Sequence, residues 1–234
     1  MKKAVLIIGA IALAAGAFLG GMAAGKLSPA NKTAKDSPAV SNGEPDASED
    51  NKQAESEKTA VNVFFSPHTG SDETGDGSQQ NPFASEEKAR EHAKTLELKE
   101  NEEAVILEFL MSVEVHTQAG YGVSSEEGTI NMIPFTGSSD GYYFKGEIVG
   151  TGCDTQKFGV EGCPAFSARY LLKGTDYRGK ECSIFIENNG DSLDKCTPTI
   201  ITDSLGLSKW QTANLRTIVT PVGFGVIVDC YEIH

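Results

Sequence analysis

Arg169 lies inside a β-prone run, Ala165–Leu172, opposite the apolar side chains Phe166, Ala168 and Tyr170. A mid-strand guanidinium must reach water or meet a carboxylate, because an unpaired buried charge costs several kcal/mol. Glu147 and Glu187 stand on the runs that flank Ala165–Leu172 in a simple meander, and they are its natural partners. Two arrangements satisfy the same residues. Inside a barrel, the three would bind an anionic or polar ligand, with Arg169 as a bidentate fork. On an outer face they would form a solvated ion-pair ladder.

Asp154 and Gln156 follow a strand, at a barrel mouth if the sheet closes. Asp154 is a candidate general base, although an Asp there also caps turns through its side chain. Tyr170, with Tyr142, Tyr143, Phe144 and Phe166, either lines a ligand cavity or fills a core at strand spacing. His116 could exchange protons near neutral pH, but it ends its strand and is expected to meet solvent. Asp72-x-Thr74-x-Asp76-Gly77 has the alternating oxygens of a calcium loop. The acid an EF-hand needs twelve residues from its start is replaced by Phe83. Turn chemistry explains the same residues. No metal site is expected: the four histidines are scattered, and no C-x-x-C or H-x-x-x-H spacing occurs. No G-x-S-x-G nucleophile motif is present, and no cofactor is implied.

The five cysteines are Cys153, Cys163, Cys182, Cys196 and Cys230. Cys153 and Cys163 flank one inter-strand loop, so a disulfide between them is expected, worth roughly 3 kcal/mol by loop closure. Cys182 and Cys230 read as buried mid-strand thiols, and none of the five is assigned a catalytic role.

The elements that must hold these residues are mostly strands. Ala104–His116 alternates over its whole length, with Val105, Leu107, Phe109, Met111, Val113 and Val115 on one face. Further strands are expected at Thr129–Phe135, Tyr142–Val149, Ala165–Leu172, Glu181–Asn188, Pro198–Thr202, Thr212–Thr220 and Phe224–Ile233, with a short helical turn from Asp203 to Trp210. About eight closely spaced strands without crossover helices point to an antiparallel β-barrel, whose closure removes aggregation-prone edges. Before it, Val61–Phe65 is β-prone, Ser66–Pro82 is a loop, and Ser85–Leu98 reads as a helix capped by Ser85. The fold class is therefore mainly β: an antiparallel barrel over residues 104–234, preceded by a strand–loop–helix extension over 61–103.

Residues 1–26 pair Lys2 and Lys3 with an apolar run from Ala4 to Ala24. This is either an uncleaved signal-anchor helix, amino end inside, or a cleaved signal peptide. Both readings export the remainder. Residues 27–60 lack the apolar content to offset ordering entropy and are expected to be a disordered spacer spanning on the order of 30 Å. A formal net charge of -13 argues against a nucleic-acid partner, which would need a concentrated basic face.

Two resemblances add to this reading. Ile133-Pro134-Phe135-Thr136-Gly137, Asp154-Thr155-Gln156, Ser167-Ala168-Arg169-Tyr170, Ile184-Phe185-Ile186-Glu187-Asn188-x-Gly190 and Val226–Ile233 resemble domain-of-unknown-function family 3237, over about Ala104–His234. That resemblance implies a compact single-domain β-barrel and no established activity. The usual double glycine before Asp154 is here Gly150-Thr151-Gly152-Cys153. Separately, Phe64–Ala89, with its S-P-x-x-G-S-D, G-D-G-S and N-P-F-A-S steps, resembles the opening of secreted right-handed β-helix proteins. The parallel coils that should follow are absent, so it implies a cap-like extension and no lyase activity.

Two functional classes follow. One is an exported, membrane-tethered or secreted barrel at the cell surface that binds a small molecule or glycan. The other is a small-barrel isomerase, cyclase or hydrolase working around Arg169 and nearby carboxylates. A purely architectural role is the third reading.

Overall fold

The structure is a computed structural model that describes residues 58–234. The expected leader and nearly all of the spacer lie outside the described residues.

The chain forms an antiparallel sheet that curls on itself, plus one parallel strand at its start. After β1 (Thr59–Phe65) comes α1 (Glu86–Ala93), then β2 (Glu102–Thr117), β3 (Tyr121–Ser125), β4 (Gly128–Asp140), β5 (Phe144–Ile148) and β6 (Gly152–Phe158). β7 (Phe166–Asp176), β8 (Glu181–Gly190), β9 (Thr197–Thr202), a 3-10 turn (Ser208–Gln211), β10 (Leu215–Val222) and β11 (Gly225–Ile233) complete it.

The main ladder runs β10-β11-β2-β4-β5-β7-β8-β9. β6 continues the line of β5: it pairs with the first half of β4 and of β7, and β5 with their second halves. β3 likewise continues the line of β2 along β4. The two ends of the ladder meet at a bridge between Cys196 and Thr217, extended by the Val219 amide donating to the Leu193 carbonyl. The result is the antiparallel barrel expected from the spacing of apolar runs. Two strands were hidden inside segments read as connections, β3 within Gly120–Gly128 and β6 between Val149 and Ala165.

The lumen is filled. Met111, Val113, Val115, Phe135, Phe144, Leu172, Ile184, Ile186, Ile200, Trp210 and Val228 belong to one buried cluster. Gly152 makes room for it, since a Cβ there would collide with the Phe135 ring. Gly150, at φ 65°, turns the chain into β6.

β2 does not keep one face throughout. Cys230 stands opposite Met111, but Tyr231 stands opposite Phe109, so Leu110 is an extra residue in the ladder. Beyond this bulge Met111, Val113 and Val115 point inward. Before it the parity is reversed. Leu107 and Phe109 join Phe64 and Tyr231 on the other side, in a cluster distinct from the lumen. The single apolar face expected for Val105 to Val115 is thus split in two.

β1 runs parallel to β2 from Thr59↔Glu102 to Phe65↔Glu108 and occupies the half of that edge that β4 leaves free. Val63, Phe65 and Ile106 pack with Ala89 of α1. The helix begins where expected, with the Ser85 hydroxyl accepting from the Lys88 amide (3.2 Å). The carboxylate of Asp72 accepts from the amides of Ala84 and Ser85, and that of Asp76 from the Ser78 amide. The calcium-like loop spends these oxygens on its own backbone.

Candidate functional site

The sequence-derived set divides between two faces. β7 sends Tyr170 and Leu172 inward, with Ala168 packed against the same cluster, and parity turns Arg169 outward. Its side chain is 58% exposed and pairs with Glu187 at 2.8 Å, across a ladder in which the two are direct neighbours. Glu147 is exposed and lies opposite Ser138 and Lys173, towards the other end of β7. Of the two arrangements open to Arg169, Glu147 and Glu187, the lumen cluster is not formed. Its members lie on the outer wall, because the inner positions of β7 are already filled by apolar side chains and a guanidinium there would lose its water.

Asp154 and Gln156 do point inward, on the same face of β6 as Gly152. Asp154 lies across from Ala168 and Gln156 across from Phe166, on the strand that carries the buried Tyr170. The Gln156 amide donates to Asp154 Oδ2 (2.9 Å), while the buried Oδ1 has no hydrogen-bond partner among the described residues. Burial raises the Asp154 carboxyl above its ordinary range, and the Gln156 and Ser167 donors only partly offset this. Nearby, the Thr217 hydroxyl donates to Asn188 Oδ1 (2.8 Å), with both residues buried. Tyr170 packs edge-on against Phe135 at 5.5 Å, and burial raises its phenol. It is a wall of the core.

The expected Cys153–Cys163 disulfide is absent: all five cysteines are free. What was read as one loop contains β6. Cys153 sits near its start and Cys163 beyond its end. Five residues of strand separate Cys153 from Phe158, about 17 Å of rise, whereas a disulfide needs Cα atoms within about 7 Å. Cys182, Cys196 and Cys230 are buried, and burial pushes their thiols up, to about 11 for Cys196 and about 12 for Cys230. His116 is exposed, 2.9 Å from Glu114 and stacked on Phe224.

A group that sequence reasoning touched only at Tyr142 and Tyr143 lies at the opposite end of the barrel, where the β4–β5 and β7–β8 turns meet. The Tyr177 amide donates to the Tyr143 carbonyl (2.9 Å), which holds the two turns together. Tyr142 and Tyr177 are 55% and 46% exposed, with planes within 18° and centroids 6.3 Å apart. His68, from the loop after β1, stacks on Tyr142 at 3.4 Å. Tyr143 stands nearly perpendicular to both tyrosines, and its far side meets Trp210. Arg178 lies 5.8 Å over the Tyr177 ring. It also borders a cleft of about 360 Å³ with Lys180, Glu181, Asp203 and Leu205.

That cleft has a rigid floor. Asp176 accepts from the Ser204 hydroxyl (2.7 Å), the Arg178 and Lys180 amides and the Arg178 guanidinium. These donors, the Ser204 hydroxyl foremost, hold its carboxyl down at about 2. Sequence reasoning offered Tyr142 and Tyr143 as cavity or core residues of the strand Tyr142–Val149 and did not single out Tyr177.

No protein-family pattern and no curated protein matches the chain. Solved structures do resemble it. A protein of unknown function from Clostridium acetobutylicum ATCC 824 is 20% identical, with 55% of this chain and 99% of that chain covered and a TM-score of 0.45. A β-barrel-like protein from Acinetobacter baumannii AYE is 24% identical, covering 58% and 100%, with a TM-score of 0.45. An enzyme from Penicillium herquei is 14% identical, covering 56% and 95%, with a TM-score of 0.42.

Proposed function

We propose that this chain is an exported barrel module, held at the cell surface by the apolar run Ala4–Ala24, that binds a glycan at the aromatic end of the barrel. The motif resemblance to family 3237 belongs to the same reading. The observation that carries it is the exposed pair Tyr142 and Tyr177, set beside a cleft of about 360 Å³ with cationic and anionic groups on its rim. Monomeric proteins seldom leave aromatic rings clustered in water without use. Sugars present C–H faces to such rings and hydroxyls to the charged groups around them, and tyrosine supplies contact area at low entropic cost. The filled lumen turns this reading away from an internal ligand and towards a surface one.

The test is affinity electrophoresis of the protein through a panel of neutral and acidic polysaccharides. Retardation by at least one polymer is expected, weakened several-fold by Tyr177→Ala and by Tyr142→Ala. Unretarded migration through the whole panel overturns the reading.

The enzymatic alternative keeps Asp154, the candidate general base, and loses Arg169. Asp154, with an unpartnered inward oxygen and a raised carboxyl, has the electrostatics of a proton acceptor. If the protein turns over a sugar and Asp154→Asn abolishes that turnover while Tyr142→Ala and Tyr177→Ala leave it intact, the sugar is handled at the β6 end and the enzymatic reading replaces the binding one.

A further inference from the structure

β11 ends at Ile233, and His234 follows directly, its amide donating to the Ile106 carbonyl (3.0 Å), so that Glu232 and His234 stand two apart on one side of the run. Glu108 stands directly opposite Glu232 in the β2–β11 ladder. Like-charged carboxylates in direct cross-strand register repel one another. Here the Glu108 side chain is only 10% exposed, so water does little to relieve the repulsion. We propose that Glu108, Glu232 and His234 form a binding site for a divalent transition-metal ion of the Zn2+ or Mn2+ class.

One oxygen from each glutamate and one ring nitrogen of His234 lie within 4.8 Å of one another. Metal bonds of about 2.0–2.2 Å bring neighbouring donors to roughly 3–3.5 Å, so the three close on an ion by side-chain rotation. The donor set narrows the ion. One imidazole with two carboxylates suits borderline transition metals, whereas Ca2+ takes six to eight oxygens.

The surroundings supply a second, independent argument. His234 Nε2 is 3.0 Å from Glu108 Oε2, inside the cluster, while Nδ1 faces Glu86 Oε1 on α1 at 3.7 Å. A carboxylate behind the far nitrogen of an imidazole is the arrangement that orients metal-binding histidines. The Tyr143 hydroxyl stands 3.4 Å from Glu108 Oε1, and Lys209 Nζ 3.3 Å from Glu232 Oε2. Lys209 pairs with Glu232, and a divalent ion would take over that charge balance. Scattered histidines gave no metal signal because Glu108 is 124 residues from Glu232 in the chain; only the strand pairing unites them.

The inference does not depend on the glycan reading. It is tested on the full chain carrying Cys163→Ser, which removes the exposed thiol, after chelator treatment. ZnCl2 and MnCl2 are titrated separately by calorimetry, with thermal unfolding followed in parallel. Saturable binding of one ion per chain and a metal-dependent rise in Tm are expected. His234→Ala, one residue past β11, weakens binding at least ten-fold and cancels the metal-dependent Tm rise, its Tm in chelator reporting the fold separately. Glu86→Gln, which leaves all three ligands in place, weakens it about ten-fold. Absence of binding by the parent protein overturns the inference, and so does binding that His234→Ala leaves unchanged.

Discussion

Cys196 and Thr217 exchange two backbone hydrogen bonds, Cys196 N–H to the Thr217 carbonyl (3.2 Å) and Thr217 N–H to the Cys196 carbonyl (2.8 Å). They are the rivet that turns an eight-position ladder into a ring. Thr217 adds to this from its side chain, through the buried hydrogen bond to Asn188. Thr217→Val keeps the shape and the backbone but leaves the Asn188 oxygen buried without a donor. Such a loss costs about 1–3 kcal/mol. Urea unfolding should show a destabilisation in that range; a change under about 0.5 kcal/mol would mean the seam is wet.

Asp154 should act in the opposite sense. Its carboxyl titrates above the usual value because burial disfavours the charge. The native state therefore holds its proton more tightly than the unfolded chain does. Stability is lost as pH rises from the ordinary value of 3.8 through the raised native value. Asp154→Asn removes that loss, and should raise stability at pH 7 by on the order of 1 kcal/mol while changing little at pH 3. Urea midpoints at the two pH values measure it. A destabilised variant at pH 7 would show that the charge is compensated.

Asp176 supplies the contrasting case. Its carboxyl is held at about 2, below the ordinary 3.8, chiefly by the Ser204 hydroxyl. Its contribution is fully present above pH 3.8 and is lost as pH falls towards 2. Asp176→Asn should lower the unfolding midpoint at pH 7 and flatten the acid limb of the stability profile between those two values. An unchanged acid limb would refute the assignment.

The thiols give a structural count. With a maleimide reagent under native conditions, Cys163 should react first and the half-buried Cys153 more slowly. Cys182, Cys196 and Cys230 should react only on unfolding, since they are buried and their thiolates disfavoured. Mass spectrometry of the labelled protein distinguishes the three classes. Rapid native labelling at Cys230 would contradict the packing of the lumen.

Arg169→Ala should leave the unfolding midpoint within experimental error, because the guanidinium and Glu187 meet on the solvated wall. A drop of several kcal/mol would restore it to the interior.

Several of these features were legible in the sequence. The hairpins around β7 and β8, the Ser85 cap and the buried thiols follow from period-2 alternation and capping chemistry, which are local. The parity of Arg169 was legible too, since it opposes Phe166, Ala168 and Tyr170. What alternation lacks is the sign that says which face is inside. That was settled by where Ile184, Ile186 and Phe135 pack. β3 escaped because its residues are all exposed and its apolar content is slight. β6 escaped because Gly152, Asp154 and Gln156 replace the apolar residues expected on an inward face. The Glu108–Glu232–His234 group escaped because strand pairing between distant segments has no local signature.

Leu110 sets the phase of everything at the α1 end of the barrel. With Leu110 paired in regular alternation instead of bulged, the inward frame of Met111, Val113 and Val115 would run straight back through Phe109 and Leu107. Glu108 would swing to the outside, away from His234, and the aromatic packing of Phe64 with Tyr231 would lose its partners. One bulge thus sorts two neighbouring surfaces, one ionic and one oily. A lineage lacking it would have to build its barrel end from different chemistry.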